Sequence, residues 1–177
     1  MRRTLLAVVA VGMLALVPAS MLSAQGLRWG VGAGLLMPMG DYGDFDKTGF
    51  TVGGGGTYWL TGGQLGIRAD LSYSSTSEKE GVLAHTTKLI GGLASVVYGL
   101  GASGAPARPY VMGGVGLYNV DGGGGSETKV SFGAGAGVGF KLGTGGMRGF
   151  LETRFTSVST DPSLTFLPIV VGVSFGK

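Results

Sequence analysis

Cysteine is absent from the 177 residues, histidine occurs once, and only 13% of residues are charged, about half the 25% share usual in a soluble domain. The missing thiols exclude disulfide staples, cysteine-ligated zinc or iron–sulfur centres, thiol catalysis and a lipoprotein-type lipid attachment. Helical periodicity is lacking as well: after residue 24 no long stretch repeats apolar residues at i, i+3, i+4 and i+7. The one long apolar run, Leu5–Val17, would span about 20 Å as a helix, short of the roughly 30 Å hydrocarbon core of a bilayer. Arg2 and Arg3 precede it, and Pro18 and small residues up to Ala24 follow it. That order predicts a secretory signal peptide over 1–24, cleaved after Ala24 or, alternatively, after Ala19. Without it the chain carries 11 basic and 10 acidic residues, so the excess of positive charge belongs mostly to the signal and no nucleic-acid partner is implied.

What is abundant is glycine, 38 residues of it, without the three-residue period of collagen. The glycines take part in strict alternation. Val130, Phe132, Ala134, Ala136, Val138, Phe140 and Leu142 alternate with Ser131, Gly133, Gly135, Gly137, Gly139 and Lys141. The segments 27–37, 64–74 and 167–175 repeat the pattern, and period two over ten or more residues predicts strands. Turn-type clusters at 41–47, 61–63, 75–81, 99–107, 121–126, 143–146 and 159–163 divide residues 25–177 into eight strands. Strands of about 10–13 residues are long for a soluble protein and suit a tilted membrane crossing.

A soluble sandwich or a lipocalin-like barrel remains the alternative, but either would place charge on its outer face. Here the non-apolar face is mainly glycine, which fits the narrow interior of a closed eight-stranded barrel in lipid. The predicted fold is therefore all-β: a transmembrane, eight-stranded, antiparallel up-and-down barrel. Trp29, Val31, Ile67, Leu71, Phe132, Val138, Phe140, Ile169, Val171 and Val173 are expected to face lipid. Trp29, Tyr58, Trp59, Tyr73, Tyr98 and Phe175 are placed at the interfacial belts. Gly53–Gly56 predicts a bend or bulge where backbones or a bulky side chain approach. The fourth and fifth strands leave inside and outside unassigned, because Leu89, Ile90, Leu93, Val96 and Val97, and Val111, Met112, Val115 and Tyr118, put apolar residues on both faces.

Taken together, the signal, the glycine-alternating strands at 30–34 and 133–139, the segment 109–116 (PYVMGGVG) and the closing Leu167–Phe175 resemble the small eight-stranded outer-membrane barrels of Gram-negative-type bacteria. The family is typified by the barrel domain of outer-membrane protein A. The resemblance implies an outer-membrane location, porin-like architecture, a monomer among outer-membrane lipids and lipopolysaccharide, and no cofactor or metal. It also implies that the barrel-assembly machinery reads Phe175, although Gly176 and Lys177 follow it, and that both termini face the periplasm. The peptidoglycan-binding domain of many relatives is not expected here. Eight acids, at 41, 44, 46, 78, 80, 121, 127 and 161, then fall at the outer rim. They could meet lipopolysaccharide through divalent cations, and they equally fit solvated loops.

Within the strands, Arg68 and Asp70 on the third and Glu152 and Arg154 on the seventh each share a face. Those strands are diametrically opposed and parallel, so Arg68 is expected at the height of Glu152 and Asp70 at that of Arg154. A lumenal charge network follows, joined at a distance by Arg28, Lys129 and Lys141. Buried charge of this kind is tolerable only when paired. The network could plug the bore or gate a narrow ion path. Three functions remain open: a structural, membrane-integrity barrel; a small passive channel or carrier for small or hydrophobic solutes; and, remotely, a lipid A-modifying enzyme. The last would need His85 with Glu80 and one of Ser72, Ser74 or Ser75. No catalytic residue is assigned. The glycine runs lack the strand–turn–helix or Gly-Lys-Ser/Thr context of a nucleotide site.

Overall fold

The computed structural model describes residues 26–60, 62–78, 86–121 and 125–176; the expected signal segment and His85 lie outside them. Eight strands follow in order: β1 (Leu27–Met39), β2 (Gly49–Trp59), β3 (Leu65–Ser77), β4 (Thr86–Gly99), β5 (Ala107–Asp121), β6 (Ser126–Lys141), β7 (Arg148–Val158) and β8 (Leu164–Phe175). Each pairs antiparallel with its neighbours and β8 closes onto β1, giving a barrel without a free edge. The closed ladder pairs the backbone around the whole circuit, with one gap in β7–β8 opposite Pro168, which is the arrangement hydrocarbon demands. Around the barrel, pairing leads from Trp29 to Gly56, Ala69, Ala94, Val115, Phe132, Ser157, Thr165 and finally Met39. One circuit thus advances ten residues along β1, a stagger that tilts the strands by about 40°.

The period-two pattern sorts side chains between two surfaces. Trp29, Val31, Ile67, Leu71, Phe132, Phe140, Ile169, Val171 and Val173 are exposed on the outside, and Val138 is half-buried on the same face. The apolar surface continues over every strand, far beyond the few hundred Å² that a soluble monomer usually exposes in one patch. We call the end of the barrel bearing Leu27 and Phe175 the terminal end, and the opposite end the far end. Trp29, Tyr58, Tyr98, Phe140 and Phe175 ring the outside at the terminal end.

The structure departs from the sequence reading in four places. The β2 glycines form neither bend nor bulge, since pairing runs unbroken on both sides from Gly53 to Gly56. On the outer face the Trp29 ring lies over Gly56, where an added Cβ would meet ring carbons at 3.1 Å, so glycine here makes room for an indole. Trp59 turns inward instead of joining the belt, with the Arg108 guanidinium 4.7 Å from its ring centre. The segment after β1 forms a short helix, α1 (Asp41–Phe45), and β3 runs on to Ser77. Strands β4 and β5 keep strict alternation: Leu89, Leu93, Val97, Met112 and Tyr118 point inward, and Ile90, Val96, Val111 and Val115 outward. Both faces are apolar there because the interior beside these strands is itself an apolar core.

Candidate functional site: the bore of the barrel

Halfway along the bore, four charged side chains meet from opposite walls. Arg68 donates from Nε to Asp70 Oδ1 at 2.7 Å and from Nη1 to Glu152 Oε2 at 2.6 Å. Arg154 Nη2 lies 3.0 Å from Asp70 Oδ2 and 3.1 Å from Glu152 Oε1. Two cations and two anions therefore close a neutral ring, with side-chain exposures of 8–18%. Alternation aims all four inward, and the ten-residue stagger brings β3 and β7 into register across the axis. Tyr110 adds a hydrogen bond from its hydroxyl to Glu152 Oε2 at 2.8 Å, and Met112 Sδ lies 3.0 Å from Arg154 Nη2.

Beyond the ring, toward the far end, the bore is closed. Leu36, Leu89, Tyr118, Val158 and Phe166 are 0–4% exposed and form one cluster, with the Tyr118 and Phe166 rings edge to face at 5.5 Å. Helix α1 lies over this cluster. Its buried Tyr42 hydroxyl is 2.6 Å from Thr76 Oγ1, which in turn donates to the buried carboxylate of Asp46. Burial pushes the Tyr42 hydroxyl well above the ordinary phenol range, so Tyr42 is neutral at physiological pH.

Toward the terminal end the bore is hollow. A cavity of about 400 Å³ extends from the turns between strands, along the glycine-rich inner faces of β1 and β2 and past the charged ring, to Leu36, Tyr118 and Phe166 on the underside of the far cluster. Arg28, Arg108 and Arg148 stand at its mouth. They donate to turn carbonyls: Arg28 to Gly146 and Gly176, Arg108 to Gly63, and Arg148 to Ser103 and Ala105.

Of the seven charges expected in one lumenal network, the structure brings together Arg68, Asp70, Glu152 and Arg154. Arg28 lies apart at the terminal mouth on backbone carbonyls. Lys129 pairs with Glu127 at 3.0 Å at the far rim, and Lys141 is exposed at the terminal end of β6. All three are near water, where a charge needs no buried partner. Of the rim acids, Asp46 is buried in the cap. Sequence reasoning missed Tyr42, Arg108, Tyr110 and Arg148. The last three lie on the inward parity of β5 and β7, and that parity was the available signal.

Residues 5–175 match the family model of the outer membrane protein β-barrel domain. In structure the chain is similar to the N-terminal β-barrel domain of Pseudomonas aeruginosa OprF, at a TM-score of 0.51 and 16% identity, covering 85% of this chain and 97% of that one. It is also similar to a major outer membrane protein from Thermus thermophilus, at 0.56 and 10% over 85% and 99% of the two chains. A third likeness is to Ail, the attachment invasion locus protein of Yersinia pestis in complex with the heparin analogue sucrose octasulfate, at 0.50 and 15% over 85% and 100%. At these identities the likeness is one of fold. No curated protein matches the chain in sequence.

Proposed function

The chain belongs to the outer membrane protein β-barrel family and lies in the bacterial outer membrane, and within that frame we propose that it is a structural barrel with a sealed bore, serving membrane integrity rather than solute passage. The observation that carries this reading is the far half of the bore, where Leu36, Leu89, Val158 and Phe166 are at most 1% exposed beneath the Tyr42 cap. An ion entering there would have to shed its hydration shell against Leu36, Leu89, Val158 and Phe166. In this reading the two termini, which an even strand number places at one end, face the periplasm, so the closed half faces outward. Lipid and lipopolysaccharide surround the apolar face, and Phe175, exposed at the end of β8, is the residue offered to the assembly machinery.

The carrier alternative calls for an apolar lumen beside β4 and β5 with an open mouth. Of the inward residues there, Leu89 and Met112 are packed away from the cavity while Leu93 and Val97 line it. The same cavity is lined by Arg68, Asp70, Glu152 and Arg154 and ends on Leu36 and Phe166, so a solute could enter it and not pass through. The polyanion held by the Yersinia barrel is not carried over either, because acids at 41, 44, 121, 127 and 161 dominate the connectors that face outward. The same reading treats the chain as non-enzymatic. Planar-bilayer recording tests it: the purified parent is expected to give no steady conductance, and Leu89→Ser with Phe166→Ser, which wets the plug, to open a small one. Steady conductance through the parent would contradict the reading.

A further inference from the structure

Charge is divided along the barrel axis. Eight of the ten acids lie in or beside the far-end connectors, and the other two, Asp70 and Glu152, are held in the neutral ring. No acid occurs in the terminal-end turns 60–64, 100–106 and 142–147 or in the strand ends beside them. Three arginines from three separate strands nevertheless converge there on one cavity, with Arg148 within electrostatic reach of both Arg28 and Arg108. Arg148 also stands directly opposite Lys141 in the β6–β7 pair, where like charges destabilise a sheet, and no ion pair relieves the arginines among the described residues.

Backbone carbonyls orient these guanidiniums but do not neutralise them. Five acceptors serve the three groups, while each guanidinium carries five N–H donors. Arg108 is the most telling of the three. It is 7% exposed, held under the Trp59 face, and its buried Nε has no partner. A buried donor without an acceptor costs about 1–3 kcal/mol, which an oxyanion at the mouth would remove. The cavity, about 400 Å³, falls within the size range of small-molecule sites. The apolar cluster at Leu36, Tyr118 and Phe166 closes it at the far end, so entry is from the terminal end alone.

We propose that this mouth is a binding site for a phosphate group presented from the periplasmic side, its oxygens shared among Arg28, Arg108 and Arg148. A carboxylate has two oxygens for three guanidiniums, whereas a phosphate dianion has three or more and the matching charge, in the fork geometry that arginine favours. The orientation rests on the reading above; the binding chemistry does not. The phosphate could belong to a small soluble monoester or to a phosphomonoester lipid headgroup in the periplasmic leaflet.

The test uses the full barrel in phosphatidylcholine nanodiscs, where both ends are accessible, in phosphate-free buffer with inorganic pyrophosphate as the probe. Calorimetry is expected to show one saturable site, weakened at least tenfold in Arg148→Gln and in Arg108→Gln. Binding should be partly retained in Arg148→Lys and unchanged in Lys47→Gln at the far end. Nanodiscs containing phosphatidic acid, a phosphomonoester lipid, separate the sources: a headgroup ligand would raise the melting temperature only with Arg148 present and would abolish pyrophosphate binding. If Arg108→Gln does not fold, Arg148→Gln at the rim carries the test. Failure of both pyrophosphate and phosphatidic acid to bind, or equal binding by Arg148→Gln, would overturn the proposal. Neither result would bear on the sealed bore, which conductance tests.

Discussion

The two halves of the bore are lined by the same alternating strands and filled in opposite ways. Toward the far end, Leu36, Leu89, Tyr118, Val158 and Phe166 interlock and close the bore, Leu36, Tyr118 and Phe166 forming the floor of the cavity below them. Toward the terminal end, Gly30, Gly32, Gly53 and Gly55 leave the inner face bare, and a cavity of about 400 Å³ remains. A barrel of eight strands has room for side chains or for a small void, and the inward residue at each position decides which. The charged ring divides the two. It costs desolvation on both sides and holds because every member is paired.

Four changes would break or sharpen this contrast. The largest effect is expected from Glu152→Ala, which leaves Arg68 and Arg154 sharing one carboxylate. Denaturant unfolding in detergent should register a loss of about 3–5 kcal/mol, with the bilayer still silent because the far half is intact. Next, Leu89→Ala in the packed half should cost about 2–5 kcal/mol, whereas Val170→Ala, half-buried beside the existing cavity, should cost about 1 kcal/mol or less. Equal costs would mean that the halves are packed alike. On the outer surface, Phe132→Arg should lose roughly 2–4 kcal/mol in bilayers, as a mid-depth cation facing lipid does. Little change would place Phe132 in water.

The smallest effect concerns the cap. Tyr42→Phe removes the 2.6 Å hydrogen bond to Thr76 and should cost about 1 kcal/mol. Burial raises the Tyr42 hydroxyl above its ordinary value of about 10. The folded state therefore holds that proton more tightly than the unfolded chain does. The associated stability is complete below pH ~10 and is lost as pH climbs toward the raised value. Melts at pH 8 and pH 11 should show the parent losing its advantage over Tyr42→Phe, and a constant gap would contradict a buried, neutral Tyr42.

Much of the barrel can be read from β6, where Val130 to Leu142 alternate with glycine, serine and lysine and the two surfaces differ in kind. Strands β4 and β5 resist the same reading because they line the packed half, so Leu89 and Ile90 are both apolar although only one faces inward. Arg68, Asp70, Glu152 and Arg154 could be singled out because opposite charges stood on opposed, parallel strands. Arg108 and Arg148 could not, since each lies at a strand end beside a turn and no acid marks it. Helix α1 escaped for a different reason: five residues with a central Gly43 carry no helical period, and only the apolar cluster beneath Tyr42 holds them in place.

Because the chain contains no cysteine, single thiols can report directly on the two halves. Thr57→Cys lines the terminal-end cavity, and Ser131→Cys replaces a wholly buried hydroxyl in the far half. In lipid vesicles given a membrane-impermeant maleimide on both sides, Thr57→Cys should label readily and Ser131→Cys not at all while the barrel stays folded. Labelling of both at similar rates would show a bore open from end to end and contradict the account.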